Sequence, residues 1–237
     1  SRGLGDVYKR QIVDRIFVGH INEIGSLALA GLGVTFPIII FIGAFSALLG
    51  TGGAPRAAIA MGCNDNERAE KILGNCTMML IISSIILSVF FMITKDKILI
   101  MFGASENTLP YASSYITIYL IGTMFLQLTL GLNAFITNQG FTKTSMITIC
   151  IGAVLNIILD PIFIFVFHLG VQGAALATII SQGISCIWVL KFLTGNKTHI
   201  KIRIKNLRLS KQIVFLVISL GISPFVMQST DSVSYTH

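Results

Sequence analysis

The stretch SMITICIGAVLNIILDPIFIFVF (residues 145–167) decides the fold, because it is long, apolar and carries only one charged residue. A helix needs about 20 such residues to cross the hydrocarbon core of a bilayer. None of the apolar stretches alternates with the period of two that a barrel strand requires. Shorter apolar runs lie at 12–19 and 213–227. We predict an all-α, polytopic transmembrane helical bundle with four further complete spans, at 32–53, 72–94, 111–137 and 173–193.

The composition excludes a soluble domain. Of the 237 residues, 54% are hydrophobic and 11% are charged, whereas a soluble domain carries about 25% charged residues. The net charge of +7 is interpreted as a topology signal, since basic loops stay on the cytoplasmic side. Eleven Lys and Arg residues follow even-numbered spans, and two, Lys95 and Lys97, follow an odd-numbered one. We therefore predict a multi-pass protein of the plasma (cytoplasmic) membrane with the loops after even-numbered helices in the cytoplasm.

The basic segment 194–210 predicts a boundary between two helical regions. We expect an N-terminal transmembrane bundle at 12–193, a basic cytoplasmic linker, and the start of a further helix, helix seven, at 211–232. Such a linker can also bind anionic lipid or nucleic acid, but we favour a plain cytoplasmic connection and expect no nucleic acid. The polar ends, 1–11 and 233–237, resemble translated adaptor sequence, so we expect a non-native leader and tail; the alternative is natural termini that are polar.

Several catalytic and metal-binding patterns are absent from the sequence. The glycine-rich stretch GTGGAPR (50–56) lacks the Lys and Ser/Thr of a phosphate loop, and neither HExxH nor GxSxG occurs. An ATP-driven pump and a membrane hydrolase are therefore excluded; we expect no enzyme and no cofactor. The histidines are scattered and give no metal site. The cysteines form no CxxC pair and are predicted to be buried free thiols: Cys63, Cys76, Cys150 and Cys186.

Two of the ten acidic residues, Asp14 and Asp160, lie inside apolar spans. A charge at the centre of a membrane helix costs about 2.5–3.5 kcal/mol, so such residues usually face a cavity and serve a function. Asn156 precedes Asp160 by one turn and shares its helix face, while Pro161 leaves the carbonyl of Ile157 without its usual donor. Oxygens of this kind bind hard cations such as Na⁺, and a buried carboxyl group can also hold a proton near neutral pH.

These acids also have structural interpretations. Pro161 would produce a kink in which Asp160 bonds to a neighbouring Ser or Thr. The charge of Asp14 would be partly offset by Arg15 beside it. For both Asp14 and Asp160, these two acids alone do not decide between a structural role and a cation site.

Polar residues in two other spans indicate contacts between helices. A ridge of small residues repeats every four positions in the span at 173–193 and favours close helix packing: Gly173, Ala177, Ser181 and Ser185. Thr178 and Gln182 lie beside this ridge, and the residues alone favour inter-helix contacts for both. The span at 111–137 has a polar face directed toward a wet cavity or a neighbouring helix: Thr117, Gln127, Thr129 and Asn133.

Five pieces of the sequence, in order, resemble one family of membrane transporters. VDRIFVGHI (13–21) and LALAGLGVTFPI (27–38) resemble the first two helices of multidrug and toxic compound extrusion (MATE) antiporters. NIILDPIFIF (156–165) and LGVQGAALATIISQ (169–182) resemble helices five and six of the same family. LGISPFVMQSTDS (220–232) is similar to the opening of helix seven. Together they cover about residues 12–232 of the chain.

The resemblance implies the six-helix N-terminal lobe of a twelve-helix, two-lobe antiporter, monomeric when complete. It implies export of small-molecule drugs or organic cations in exchange for Na⁺ or H⁺ by alternating access, with membrane lipid around the bundle. The family's cation site falls on Asp14, Asn156, Asp160 and Thr178, which turns Thr178 from an inter-helix contact into an expected ligand. A second-lobe acidic site falls on Asp231. The resemblance also implies that the first half of helix one and most of the second lobe lie outside this sequence.

Three alternative functions have distinct requirements. A lipid-linked sugar flippase of the same superfamily needs a cationic cleft for a pyrophosphate, and buried Arg and Lys are nearly absent from the predicted spans. A membrane-embedded enzyme acting on polyprenyl lipids needs clustered acidic or His residues at a membrane face. A non-transporting partner subunit is the third alternative.

Overall fold

The computed structural model of the protein describes residues 12–21 and 24–234, apart from the side chains of Pro224 and residues 228–234. The described residues contain no strand, which confirms the all-α prediction. A π-helical turn at Ile162–Val166 extends α6, and a short 3₁₀ turn lies at Ile204–Asn206. The helices in chain order are α1 (12–19), α2 (Gly25–Gly62), α3 (Asn66–Met101), α4 (Leu109–Ile121), α5 (Thr123–Asn138), α6 (Thr142–Pro161), α7 (Gly170–Thr194) and α8 (Lys211–Ser234).

The five complete spans predicted from the sequence all occur. The helices α2, α3 and α7, and α6 with its π extension, are each long and apolar enough to cross a membrane. The predicted span at 111–137 is instead a pair of helices, α4 and α5, bent by 57° at Gly122. A side chain at Gly122 would lie 2.6 Å from Ile179 on α7, so the bend brings the two helices into close contact.

Two helices extend well beyond the apolar stretches that predicted them. The helix α2 has 38 residues and α3 has 36, and each continues past both ends of its predicted apolar span. Asp65 begins α3 as its N-cap, and its carboxylate accepts a hydrogen bond of 3.0 Å from the backbone N–H of Arg68. The hydropathy of the sequence therefore locates the apolar part of each helix, but it does not locate the residues at which the helix begins and ends.

The helix α2 is the centre of the bundle and packs against α3, α4, α5 and α8. Its buried residues contribute to both hydrophobic clusters of the core. The outer surfaces of α3 and α6 are apolar and exposed, as expected where a bundle faces lipid, at Ile85, Ile86, Phe90, Ile93, Ile147, Val154, Ile157 and Ile158.

The glycine-rich stretch 50–56 lies inside α2, where it lets neighbouring helices approach closely. A Cβ atom on Gly52 would clash with the backbone carbonyl of Val217 on α8, and one on Gly221 would clash with the carbonyl of Leu48. The stretch therefore serves helix packing and is no phosphate loop, in agreement with the sequence analysis.

We expect Gly52→Ala to destabilise the chain. The added methyl group meets backbone on α8, and overpacking of this kind costs about 1–3 kcal/mol, or roughly 2–12 °C in melting temperature for a chain of this size. Gly33→Ala is the matched control, because a Cβ there meets no atom within 4 Å. The apparent melting temperature of the detergent-purified chain measures both effects. Equal melting temperatures for the two variants would contradict the prediction.

The linker at 195–210 is folded onto the bundle and does not form a free tether. Gln139, at the end of α5, accepts hydrogen bonds from three consecutive linker residues through its Oε1 atom. The donors are the Thr198 hydroxyl at 2.7 Å, the His199 N–H at 2.9 Å and the Ile200 N–H at 3.2 Å. Thr198 and Ile200 are buried, so Gln139 satisfies donors that water cannot reach.

Two residues of α3 hold the rest of the linker. Glu70 accepts a hydrogen bond of 3.2 Å from the backbone N–H of Lys201 and forms an ion pair of 2.5 Å with Arg203. Asn75 accepts a hydrogen bond of 2.7 Å from the N–H of Ser210, just before α8 begins. The linker thus fixes the start of α8 against the bundle.

All four cysteines are free, as predicted, but the prediction that all are buried is wrong for two of them. Cys76 and Cys186 are buried, whereas Cys63 and Cys150 are exposed. Cys63 caps the end of α2. Cys150 lies on the outer surface of α6, away from the buried face that contains Asn156.

Candidate cation site

One face of α6 is directed into the bundle. Its buried residues are spaced by three or four positions, at Ser145, Thr148, Gly152, Asn156 and Asp160. The small-residue ridge of α7 packs against this helix and its π extension, as predicted. A side chain at Gly173 would lie 2.7 Å from the backbone of Phe163, and the Ser185 hydroxyl donates to the carbonyl of Thr148 at 3.3 Å. This packing brings Thr178 of α7 next to Asn156.

Asp14 completes the cluster from α1. Its Oδ2 atom accepts hydrogen bonds from the Thr178 hydroxyl at 3.0 Å and from the Tyr115 hydroxyl at 2.7 Å. The Asn156 amide nitrogen lies between the two carboxylates, 2.9 Å from Asp160 Oδ1 and 3.3 Å from Asp14 Oδ1. The four residues predicted as the cation site, separated by up to 164 positions in sequence, therefore form one contiguous cluster.

The cluster has two carboxyl groups with no cationic partner among the described residues. Asp14 is 1% exposed, and Asp160 and Asn156 are 0% exposed. Asn156 Oδ1 and Asp160 Oδ2 are buried acceptor atoms without a hydrogen-bond partner in the described part of the chain. Two buried like charges repel each other and lose their hydration. The arrangement therefore favours a positive charge, either a proton on one carboxyl group or a small cation held by these oxygens.

Arg15 does not neutralise Asp14 in the manner considered from the sequence. Its guanidinium group lies over the ring of Phe36, 5.2 Å from the ring centre, and forms no ion pair with a described acid. A narrow crevice lined in part by Arg15 and Thr35 reaches Asp14, but it is too narrow to admit a water molecule. In this conformation the acid is shielded from water.

Tyr115 is the site residue that sequence reasoning missed. It is buried on α4, and its hydroxyl makes the shortest hydrogen bond to Asp14. A buried tyrosine usually has a partner for its hydroxyl, so its position in mid-span was the available signal. The Ile157 carbonyl, expected to be freed by Pro161, has no described contact with the cluster, and the Ile157 side chain is exposed on the outer surface.

Residues of the polar face predicted at 111–137 contact neighbouring helices. Gln127 accepts a hydrogen bond of 2.8 Å from the Ser83 hydroxyl of α3. The Thr129 hydroxyl donates to the carbonyl of Gln182 at 3.4 Å, which connects α5 to α7. This contact uses the backbone carbonyl of Gln182; the Gln182 side chain is buried, and its Oε1 atom has no hydrogen-bond partner among the described residues. Asp231 lies within α8, but its side chain is outside the described residues.

The fold and the buried polar cluster define a polytopic helical membrane protein of the transporter class. The MatE family model matches residues 7–162, which is more than half of the chain, and the chain therefore belongs to the MatE family. The sequence resemblance to the MATE family is confirmed. A curated relative, the multidrug export protein MepA of Staphylococcus haemolyticus (strain JCSC1435), is 29% identical over 216 residues, which cover 91% of this chain and 47% of the relative.

Solved structures of MATE transporters share the fold. The inward-facing conformation of a multidrug resistance MATE family transporter of the MOP superfamily superposes with a TM-score of 0.90 at 24% identity, over 96% of this chain and 51% of that chain. The outward-facing conformation of a transporter of the same description superposes with a TM-score of 0.85 at 25% identity, over 95% and 50%. The chain spans about half the length of the curated relatives it matches.

Proposed function

We propose that this chain forms the N-terminal lobe of a cation-coupled multidrug efflux antiporter. In this proposal the lobe binds Na⁺ or H⁺ at Asp14, Asn156, Asp160 and Thr178, and the complete transporter exports cationic or amphipathic compounds. The observation that carries the proposal is the pair of buried carboxyl groups, bridged by one amide and without a cationic partner among the described residues. Such a pair gains stability from a proton or a cation and is costly without one.

Coupling requires that the ion and the drug favour different conformations of the transporter. In the described conformation Asp14 is shielded, and its oxygens bond to α4, α6 and α7 at once. A bound ion stabilises this closed cluster by neutralising its charge, and release of the ion leaves two repelling carboxylates that favour its opening. We propose that alternating access follows from this competition, so that an inward ion gradient drives outward drug movement.

The proposal is tested by efflux of a fluorescent organic cation from vesicles that contain the complete transporter carrying this chain. We expect efflux to require an inward Na⁺ gradient at equal pH, or an inward proton gradient in Na⁺-free buffer. The gradient that drives efflux identifies the coupling ion. Efflux that persists after both gradients have been dissipated would refute cation coupling.

We expect Tyr115→Phe to shift the ion concentration for half-maximal efflux by at least about tenfold without abolishing transport. The change removes one hydrogen bond to a carboxylate; such bonds are worth about 1.5–3 kcal/mol, and each 1.4 kcal/mol is a factor of ten. Tyr111→Phe on the same helix is the matched control, since the Tyr111 hydroxyl makes no hydrogen bond to a described residue. The ion concentration for half-maximal efflux measures the effect. An unchanged value for Tyr115→Phe would remove Tyr115 from the site.

The lipid-linked sugar flippase receives less support from the described residues. No Lys or Arg side chain is among those buried in the described part of the bundle. A pyrophosphate headgroup needs cations where it binds, whereas the buried charges described in this lobe are acidic. Drug export coupled to a cation is therefore the function that we propose.

A further inference from the structure

A second site lies at the opposite end of α7 from Gly173, where the helix meets the linker. A cavity of about 280 Å³ opens there, far along the helix from the carboxylate cluster. Its lining combines two aromatic side chains with two lysines and the first linker residues: Trp188, Lys191, Phe192, Gly195, Asn196 and Lys197. An apolar base with a basic rim is the character of a site for an amphipathic anion.

Three lysine ammonium groups surround the rim of the cavity. Lys191 and Lys197 line it and are exposed, and Lys201 donates a hydrogen bond of 2.7 Å to Asn196 Oδ1 on its edge. None of the three forms an ion pair with a described acid. These positive charges are thus available to an anionic group outside the protein.

An apolar stripe on α7 leads from this cavity along the outside of the bundle. The side chains of Ile180, Ile184, Ile187 and Trp188 are all exposed, and their spacing of four, three and one residues places them on one helix face. Lys191 continues the same face by one more turn. The stripe is where an acyl chain would lie if a headgroup were bound at the lysines.

We propose that this cavity binds an anionic membrane phospholipid, with its phosphate at Lys191 and Lys197 and one acyl chain along the stripe from Trp188 to Ile180. Tryptophan and lysine at the end of a transmembrane helix lie at the level of lipid headgroups, and basic pockets between helix ends bind anionic headgroups. A soluble phosphate would use the lysines but not the apolar stripe, so the continuity of the two favours a lipid.

The chain provides its own probe, because Trp188 is its only tryptophan. We would reconstitute the chain in phosphatidylcholine vesicles that contain a fixed fraction of phosphatidylglycerol and brominate the acyl chains of one lipid at a time. Bromine quenches tryptophan only at contact, so the ratio of the two quenching curves gives the lipid selectivity at this site. We expect phosphatidylglycerol to be preferred by roughly 25-fold, because each of the two lysines near the anionic headgroup contributes about fivefold.

Variants identify the groups responsible for the selectivity. Lys191→Gln and Lys197→Gln are each expected to lower the preference by about fivefold, and the double variant to abolish it. Lys205→Gln is the matched control, because it removes the same charge from the same linker at an exposed position that does not line the cavity. Equal quenching by the two brominated lipids, or an equal loss in Lys205→Gln, would overturn the proposal. Relief of quenching by millimolar glycerol phosphate would assign the site to a soluble phosphate and would also overturn it.

Discussion

Asp160→Asn is expected to abolish drug efflux by the complete transporter, by about 100-fold or more, while leaving the folded protein at least as stable. The substitution keeps the shape of the side chain and removes one of two buried carboxyl groups that share the Asn156 amide. Asp14 is then the one carboxyl group left in the cluster, so a proton or cation is held less tightly and the ion gradient loses its coupling to conformation. A 100-fold loss of efflux corresponds to a loss of about 3 kcal/mol in the free energy of ion binding.

Stability distinguishes this outcome from the structural interpretation of Asp160. If the carboxyl group only stabilised the bend at Pro161, Asp160→Asn would lower the melting temperature and leave efflux by the surviving protein intact. If it binds the coupling ion, removal of one repelling charge raises the melting temperature or leaves it unchanged, and efflux is lost. Glu106→Gln is the control for replacing a carboxyl group by an amide, since Glu106 is exposed and forms no ion pair with a described residue. Efflux and melting temperature measured on the same preparations separate the two interpretations.

The sequence predicts those features of the fold that follow from the thickness of the bilayer and from helix periodicity. The requirement for about 20 apolar residues per span located five spans, and the spacing of Asn156 and Asp160 placed both on one face of α6. It could not place Asp14 and Thr178 beside them, because no local pattern relates residues 164 positions apart. The family resemblance supplied that grouping.

The features that were missed depend on contacts between helices. The bend between α4 and α5 occurs at Gly122 against Ile179, and no property of the segment 111–137 alone distinguishes it from a straight span. Tyr115 could be recognised as a member of the cluster only once Asp14 was known to lie opposite. The linker was interpreted from its charge, whereas its conformation depends on single polar side chains more than 100 residues away, such as Glu70.

Gln139→Leu is expected to release the linker from the bundle and to accelerate trypsin cleavage after Lys197 and Lys201 by about 10- to 100-fold. The Gln139 Oε1 atom accepts three hydrogen bonds from the linker, and leaving a buried donor without a partner costs about 1–3 kcal/mol. When opening is fast relative to cleavage, the rate follows the population of the open form, and each 1.4 kcal/mol raises that population tenfold.

Gln139→Glu separates loss of the acceptor from loss of the side chain. It keeps an Oε acceptor for the three donors and replaces the Nε2 group, which has no hydrogen-bond partner among the described residues, so cleavage should stay near the original rate. Gln172→Leu, at an exposed position of α7, controls for the added leucine. If Gln139→Leu left cleavage unchanged, Glu70 and Asn75 alone would hold the linker. Because α8 begins directly after Ser210, a released linker would also free the start of the helix that packs on α2, and Phe225 would lose its ring contacts with Phe41 and Phe45.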